Sequence, residues 1–158
     1  MFTPEESKSF RNYRRISRLL PMSNITGAYA HERNENLDEY LKAIGVPYVG
    51  RKMMSFSSPR LEISKNEDKW TIRSISVGRT LEMTFALGVE YEESMPSGDK
   101  LKNVTTIEGD SLVTNSVAPN GSLITRRYDF TPETAVLTMT HQNSGKIAKR
   151  YYKRVVTV

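Results

Sequence analysis

Arg150 and Tyr152 stand two residues apart in the run Ile147–Val155, so in a strand both side chains leave the same face. Arg126, in the earlier run Leu123–Tyr128, joins them if its strand lies in the same sheet and faces the same way. The chemistry such a set can do is recognition of a carboxylate. A guanidinium keeps its charge at every relevant pH and offers a planar fork that a carboxylate accepts in bidentate fashion, and a phenol adds a third hydrogen bond. An unpaired guanidinium costs several kcal/mol to bury, so by charge alone the ordinary place for these arginines is an exposed strand face. Other chemistry is poorly provided for. The chain has no cysteine and two histidines, His31 and His141, far apart in sequence, so no zinc site is expected. There is no phosphate loop, dinucleotide fingerprint or nucleophile motif. Catalysis is therefore disfavoured and no cofactor is expected.

The elements that must position these residues fall into two parts. Asn36-Leu37-Asp38-Glu39 reads as a capping box, with Asn36 as N-cap and Glu39 reaching back. Leu37, Tyr40, Leu41 and Ile44 then recur at helical spacing, and Gly45 can close the helix. Pro47 can open a second short helix through Arg51-Lys52-Met53-Met54, which Pro59 ends. Beyond Pro59 the period changes to two. Strand-like runs appear at Leu61–Ser64, Trp70–Ser76, Leu81–Leu87, Val89–Glu93, Leu101–Ile107, Ser111–Val117, Leu123–Tyr128, Ala135–Thr140 and Ile147–Val155, with one more around Tyr29–Glu32 before the helices. Turn signals such as Pro119-Asn120-Gly121 and Asn143-Ser144-Gly145 separate most of them. Ten closely spaced runs predict an all-β fold: a ten-stranded antiparallel up-and-down β-barrel with a helix-turn-helix cap, closed so that few edges stay open. Strand faces that mix apolar groups (Met83 with Phe85, Leu137 with Met139) and charged ones suit a cavity for an amphipathic molecule.

Length and composition agree. The 158 residues fit one domain, assigned to residues 25–158, preceded by an N-terminal extension at residues 1–24. No stretch approaches the roughly 18 apolar residues of a spanning helix. The net charge of +5 is uneven, because Lys8, Arg11, Arg14, Arg15 and Arg18 crowd the extension against only Glu5 and Glu6. The high isoelectric point is thus no evidence for a nucleic-acid-binding domain, and no nucleic-acid partner is expected. The four arginines share one helical face and Phe10, Tyr13, Ile16 and Leu20 the other, a pattern that can touch anionic membrane transiently. A loosely ordered tail is the plainer reading.

With these residues in order, the chain resembles the intracellular lipid-binding proteins, the fatty-acid-binding and cellular retinoid-binding family. Glu35-Asn36-Leu37-Asp38-Glu39-Tyr40-Leu41-Lys42-Ala43-Ile44-Gly45-Val46 is similar to the family's ENFDDYMKALGV pattern. Thr84-Phe85-Ala86-Leu87-Gly88-Val89-Glu90-Tyr91-Glu92-Glu93 is similar to its SFKLGVEFEE segment, and Arg150-Tyr151-Tyr152 to its R-x-Y. Arg126 shares a face with Ile124 as the family's I-x-R requires, and Arg127 is the alternative by ungapped count. Tyr29 stands where the family usually has tryptophan, and Gly78 where fatty-acid binders carry a portal aromatic. The resemblance implies a cytoplasmic, and further a nuclear, monomeric carrier that is not an enzyme. Its ligand is expected to be a long-chain fatty acid or similar carboxylate held by Arg126, Arg150 and Tyr152. Tyr40, Met83, Phe85, Leu137 and Met139 would line the tail, and Val49, Met53, Met54 and Gly78 the portal. A retinoid or other isoprenoid carrier is the alternative reading, as is an interaction barrel with an unused cavity.

Overall fold

The computed structural model describes residues 25–95 and 98–156. The expectations on residues 1–24 lie outside them. Ten strands follow in chain order: β1 Gly27–Glu35, β2 Arg60–Asn66, β3 Lys69–Ser76, β4 Arg79–Ala86, β5 Tyr91–Ser94, β6 Lys100–Glu108, β7 Ser111–Val117, β8 Leu123–Phe130, β9 Thr134–His141 and β10 Lys146–Arg154. Helices α1 (Leu37–Ala43) and α2 (Tyr48–Phe56) lie between β1 and β2. The all-β barrel with a helical pair is thus present, and its strands extend the period-two runs by a residue or two at most ends.

Successive strands pair antiparallel in one sheet of order β4-β3-β2-β1-β10-β9-β8-β7-β6-β5. The joint between the chain's two ends is the β1–β10 ladder, where Tyr29 faces Arg154 and Asn34 faces Arg150, with a register shift between His31 and Arg33. The shift matters because it resets the alternation, so that His31 and Asn34, three residues apart, both serve the inner face. Closure is not complete, since β4 and β5 share no ladder. Phe85 of β4 stacks on Tyr91 of β5 at 5.0 Å between ring centroids, and the Gly88 amide donates to the Thr105 carbonyl at 2.9 Å. A ring stack and one isolated backbone bond thus bridge the opening that the ladders leave.

The helices depart from expectation at one point. Asn36 adopts the left-handed conformation, φ 56°, and caps nothing with its side chain. Its amide instead donates to the Ile147 carbonyl of β10 at 2.9 Å. Asparagine tolerates that backbone region, and the bond to β10 replaces the local cap as its use. Asp38 and Glu39 remain in the first turn, where the helix dipole favours acidic groups. At the other end Val46 donates to Leu41 and Gly45 to Lys42, the paired bonds of a Schellman stop. Gly45 takes φ 90°, a value that its lack of Cβ makes inexpensive. Leu37, Tyr40 and Leu41 are buried against the barrel, whereas α2 buries no residue fully. Arg51 fastens α2 to α1 through Asp38 Oδ1 at 3.2 Å and the Val46 carbonyl at 2.9 Å. No helix among the described residues is long and apolar enough to cross a membrane.

The inner faces divide into two halves. Leu61, Ile63, Trp70, Ile72 and Phe85 of β2–β4 are buried and apolar. Asn103, Thr105, Thr114 and Ser116 of β6 and β7 are buried and polar. If the Phe85–Tyr91 stack bridges the β4–β5 opening, Phe85→Ala removes a buried ring at a place no ladder supports. It is expected to cost about 3–5 kcal/mol in urea unfolding, while Leu81→Ala on the same strand, half exposed, costs under about 1 kcal/mol. Equal costs would show that the ring is not the bridge.

Candidate functional site

Rows of inward side chains cross the strands. The register sets Arg150 beside Leu137, Leu137 beside Tyr128, and Arg150 beside Asn34 on its other side. The next row runs from Tyr152 to Ala135 and Phe130, with His31 across the closing joint. On the third row Arg126 neighbours Met139, which neighbours Ala148. Leu137, Met139, Phe85 and Tyr40 are buried in this interior, and Met83 packs against it partly covered. The expected tail residues are therefore all inward.

The two arginines differ in their electrostatic condition. Arg126 faces inward with Ile124 and Tyr128, whereas Arg127 turns out to Glu108 and Asp129. Arg126 is already paired. Its Nη1 donates to Glu93 Oε2 at 3.0 Å and its Nη2 to Glu93 Oε1 at 2.6 Å, with Ser116 Oγ at 3.2 Å beside them. Asn103 Nδ2 donates to the same Glu93 carboxylate at 3.0 Å. Burial by itself would raise the Glu93 carboxyl, but the Arg126 charge and the hydrogen bonds from Arg126 and Asn103 outweigh it and hold the group below its ordinary value. Alongside, Tyr91, Thr105 and Thr114 form a chain of hydroxyl contacts at 2.7 Å each.

Arg150, 7% exposed, has no acidic partner among the described residues. Its Nε donates to Asn34 Oδ1 at 3.0 Å and its Nη2 to the Ser57 carbonyl at 3.2 Å. Asn34 Oδ1 also meets His31 Nε2 at 2.6 Å, and the His31 ring lies edge-on to Tyr152 with centroids 5.5 Å apart. Burial lowers the His31 pKa, and the nearby Arg150 charge adds to that. Burial raises the Tyr152 phenol, against the opposing pull of Arg150, and raises the Tyr40 phenol to about 12. Tyr128 is pushed up the same way and feels the charges of Tyr152, Arg126, Arg150 and Glu93. These phenols remain protonated donors at neutral pH. The arrangement can take one anion beside Arg150 and the Tyr152 and Tyr128 hydroxyls, with an apolar tail lying toward β2–β4.

Of the expected portal residues, Val49 and Met53 are strongly exposed on α2, and Met54 is partly covered against the core. Gly78 lies in the two-residue turn between β3 and β4 at φ 76°, with open space where a Cβ would go. Sequence reasoning missed Glu93, Asn34, His31, Asn103 and Tyr128. Tyr128 did carry a signal, since Arg126-Arg127-Tyr128 has the same spacing as Arg150-Tyr151-Tyr152. Glu93 carried one too, since in the run Val89–Glu93 it shares a face with Val89 and Tyr91 while Glu90 and Glu92 take the other, but nothing local showed that Arg126 would lie opposite it. Among the described residues no three His, Cys, Asp or Glu gather as a metal ion would need.

The Glu93–Arg126 pair has a pH signature. A depressed carboxyl contributes stability that is full above its unfolded value and is lost as pH falls through the folded one. The stability of the native protein relative to the Glu93→Gln/Arg126→Gln variant is expected to stay level between about pH 7 and 5 and to fall below about pH 4.5. A difference that stays level down to about pH 3 would mean that the carboxyl is not held by the pair.

No protein-family model matches the chain, but individual proteins do. It is 33% identical over 133 residues to a fatty acid-binding protein of Tyrophagus putrescentiae, covering 84% of this chain and 99% of that one. It is 29% identical over 133 residues to sodium/calcium exchanger regulatory protein 1 of Doryteuthis pealeii, with 84% of this chain and 98% of that one covered. Among solved structures, the fatty acid-binding protein from brain tissue of Drosophila melanogaster superposes with a TM-score of 0.75 at 31% identity, over 82% of this chain and 98% of its own. Ten strands, an inward arginine pair and these likenesses over nearly the whole length of each relative lead to one conclusion: the chain belongs to the fatty-acid-binding protein family of intracellular lipid-binding proteins.

Proposed function

We propose that the barrel carries a long-chain fatty acid, or a similar hydrophobic carboxylate, with its headgroup on Arg150 and Tyr152. The observation that supports this reading is the state of Arg150: inward, 7% exposed, hydrogen-bonded only to an amide and a carbonyl oxygen, and without a counter-charge among the described residues. A buried cation of that kind is costly unless something anionic visits it. The relatives named for fatty acid binding support the same ligand class.

The energetics divide between tail and headgroup. Burial of the tail against Phe85, Met83, Leu137, Met139 and Tyr40 supplies most of the affinity, at about 25 cal/mol per Å². The headgroup adds orientation and charge-assisted hydrogen bonds of about 1.5–3 kcal/mol each. Entry past Val49, Met53, Met54 and Gly78 fits the loose attachment of α2, whose Tyr48 and Phe56 are also exposed and available for transient contact with anionic membrane. The protein is read as a monomeric carrier within the cell that performs no chemistry on its cargo.

Arg150→Gln is expected to weaken palmitate by about ten- to a hundredfold, equivalent to about 1.4–2.8 kcal/mol, and to leave hexadecanol nearly unchanged in parallel titrations. Equal losses for the acid and the alcohol would mean that Arg150 supports the barrel through Asn34 and Ser57 and holds no headgroup.

A further inference from the structure

We propose that Glu93 is the specificity-determining residue of the barrel. By occupying Arg126 it limits the interior to one anionic headgroup, placed at Arg150, and excludes ligands that carry a second carboxylate. The proposal rests on the carboxylate-carrier reading and adds the rule by which that site selects.

The two inward arginines are alike in chemistry and unlike in partnership. Both guanidinium ends of Arg126 are taken by one carboxylate, at 3.0 and 2.6 Å, in the bidentate geometry a ligand headgroup would itself adopt. Glu93 is therefore the chain's own stand-in for a ligand at this position. It is held there by more than Arg126. Asn103, fully buried, donates to its carboxylate at 3.0 Å, and Ser116, 1% exposed, lies 3.2 Å from Arg126 Nη2. A free carboxylate competing for Arg126 must displace one that is tethered to the neighbouring wall, at an effective concentration on the order of millimolar or higher. It would also leave the Glu93 charge unpaired in the interior, which low-dielectric surroundings strongly oppose. Arg150 meets only neutral oxygens, from Asn34 and Ser57, which a ligand can outbid without stranding a charge. Tyr128 shares the inner face of β8 with Arg126, two residues away, and its row with Arg150 through Leu137, so the two arginines flank one region of the interior and the choice between them falls to Glu93.

The test titrates palmitate and hexadecylsuccinate, a single tail with two neighbouring carboxylates, against the native protein, Glu93→Gln and Glu93→Gln/Arg126→Gln, with circular dichroism on each. In Glu93→Gln the preference for hexadecylsuccinate over palmitate is expected to rise by about fivefold or more, and a smaller rise in the folded variant overturns the proposal. The double variant, which removes cation and counter-ion together, keeps the proposal falsifiable if the single variant does not fold. It is expected to bind palmitate within about fivefold of the native protein, and a greater loss would show that Arg126 holds the headgroup and overturn the proposal. Arg150→Gln, titrated with palmitate and hexadecanol in the same series, separates the two levels of argument. Equal losses there defeat the carboxylate-carrier reading itself, whereas an acid-selective loss there with a failed Glu93 result defeats only the selection rule.

Discussion

The pairing of β1 with β10 is the constraint on which the remainder depends. Gly27–Glu35 and Lys146–Arg154 come from opposite ends of the described chain, and their ladder turns a meander into a wall with an inside. That one joint sets Asn34 beside Arg150 and His31 beside Tyr152, so the neutral partners that steady the candidate anchor come from the strand most distant from it in sequence. The register shift between His31 and Arg33 is part of the same device. Without it, alternation would send Asn34 outward and leave the Arg150 Nε without its acceptor.

Enclosing charge is the second consequence. A barrel interior that admits Arg126, Arg150 and Glu93 must compensate them or lose stability. It does so asymmetrically. On the β5–β8 side the Glu93 carboxylate and the Ser116 hydroxyl take both Nη groups of Arg126, whose buried Nε has no hydrogen-bond partner among the described residues. On the β1–β10 side Arg150 has hydrogen bonds and no opposite charge among the described residues. The buried cation is thus charge-paired on one wall and met by neutral oxygens on the other, with the apolar faces of β2–β4 completing the space.

The closing elements are held less firmly than the wall. The Phe85–Tyr91 stack spans the unpaired β4–β5 boundary, and α2 is fixed mainly through Arg51, the Ser57 carbonyl and the half-covered Met54. Arg150 therefore touches the end of α2 and Asn34 of the β1 wall at once.

Period-two alternation located all ten strands, because a face that must be buried fixes which residues alternate, and turn clusters marked most of their ends; β5, with no such cluster before it, begins two residues later than the pattern placed it. Leu37, Tyr40, Leu41 and Gly45 similarly fixed α1 and its end, and the spacing of Arg150 with Tyr152 fixed that they share a face. Local pattern misled at Asn36, where a capping box was written in the sequence but a long-range bond to Ile147 claimed the side chain. What only the tertiary structure decided was partnership. Glu93 lies 33 residues from Arg126, and Asn34 lies 116 from Arg150, so no local periodicity joins them. Alternation says that a side chain points inward, but whether it meets a charge there depends on register across several strands, and that is fixed only when the whole sheet closes on itself.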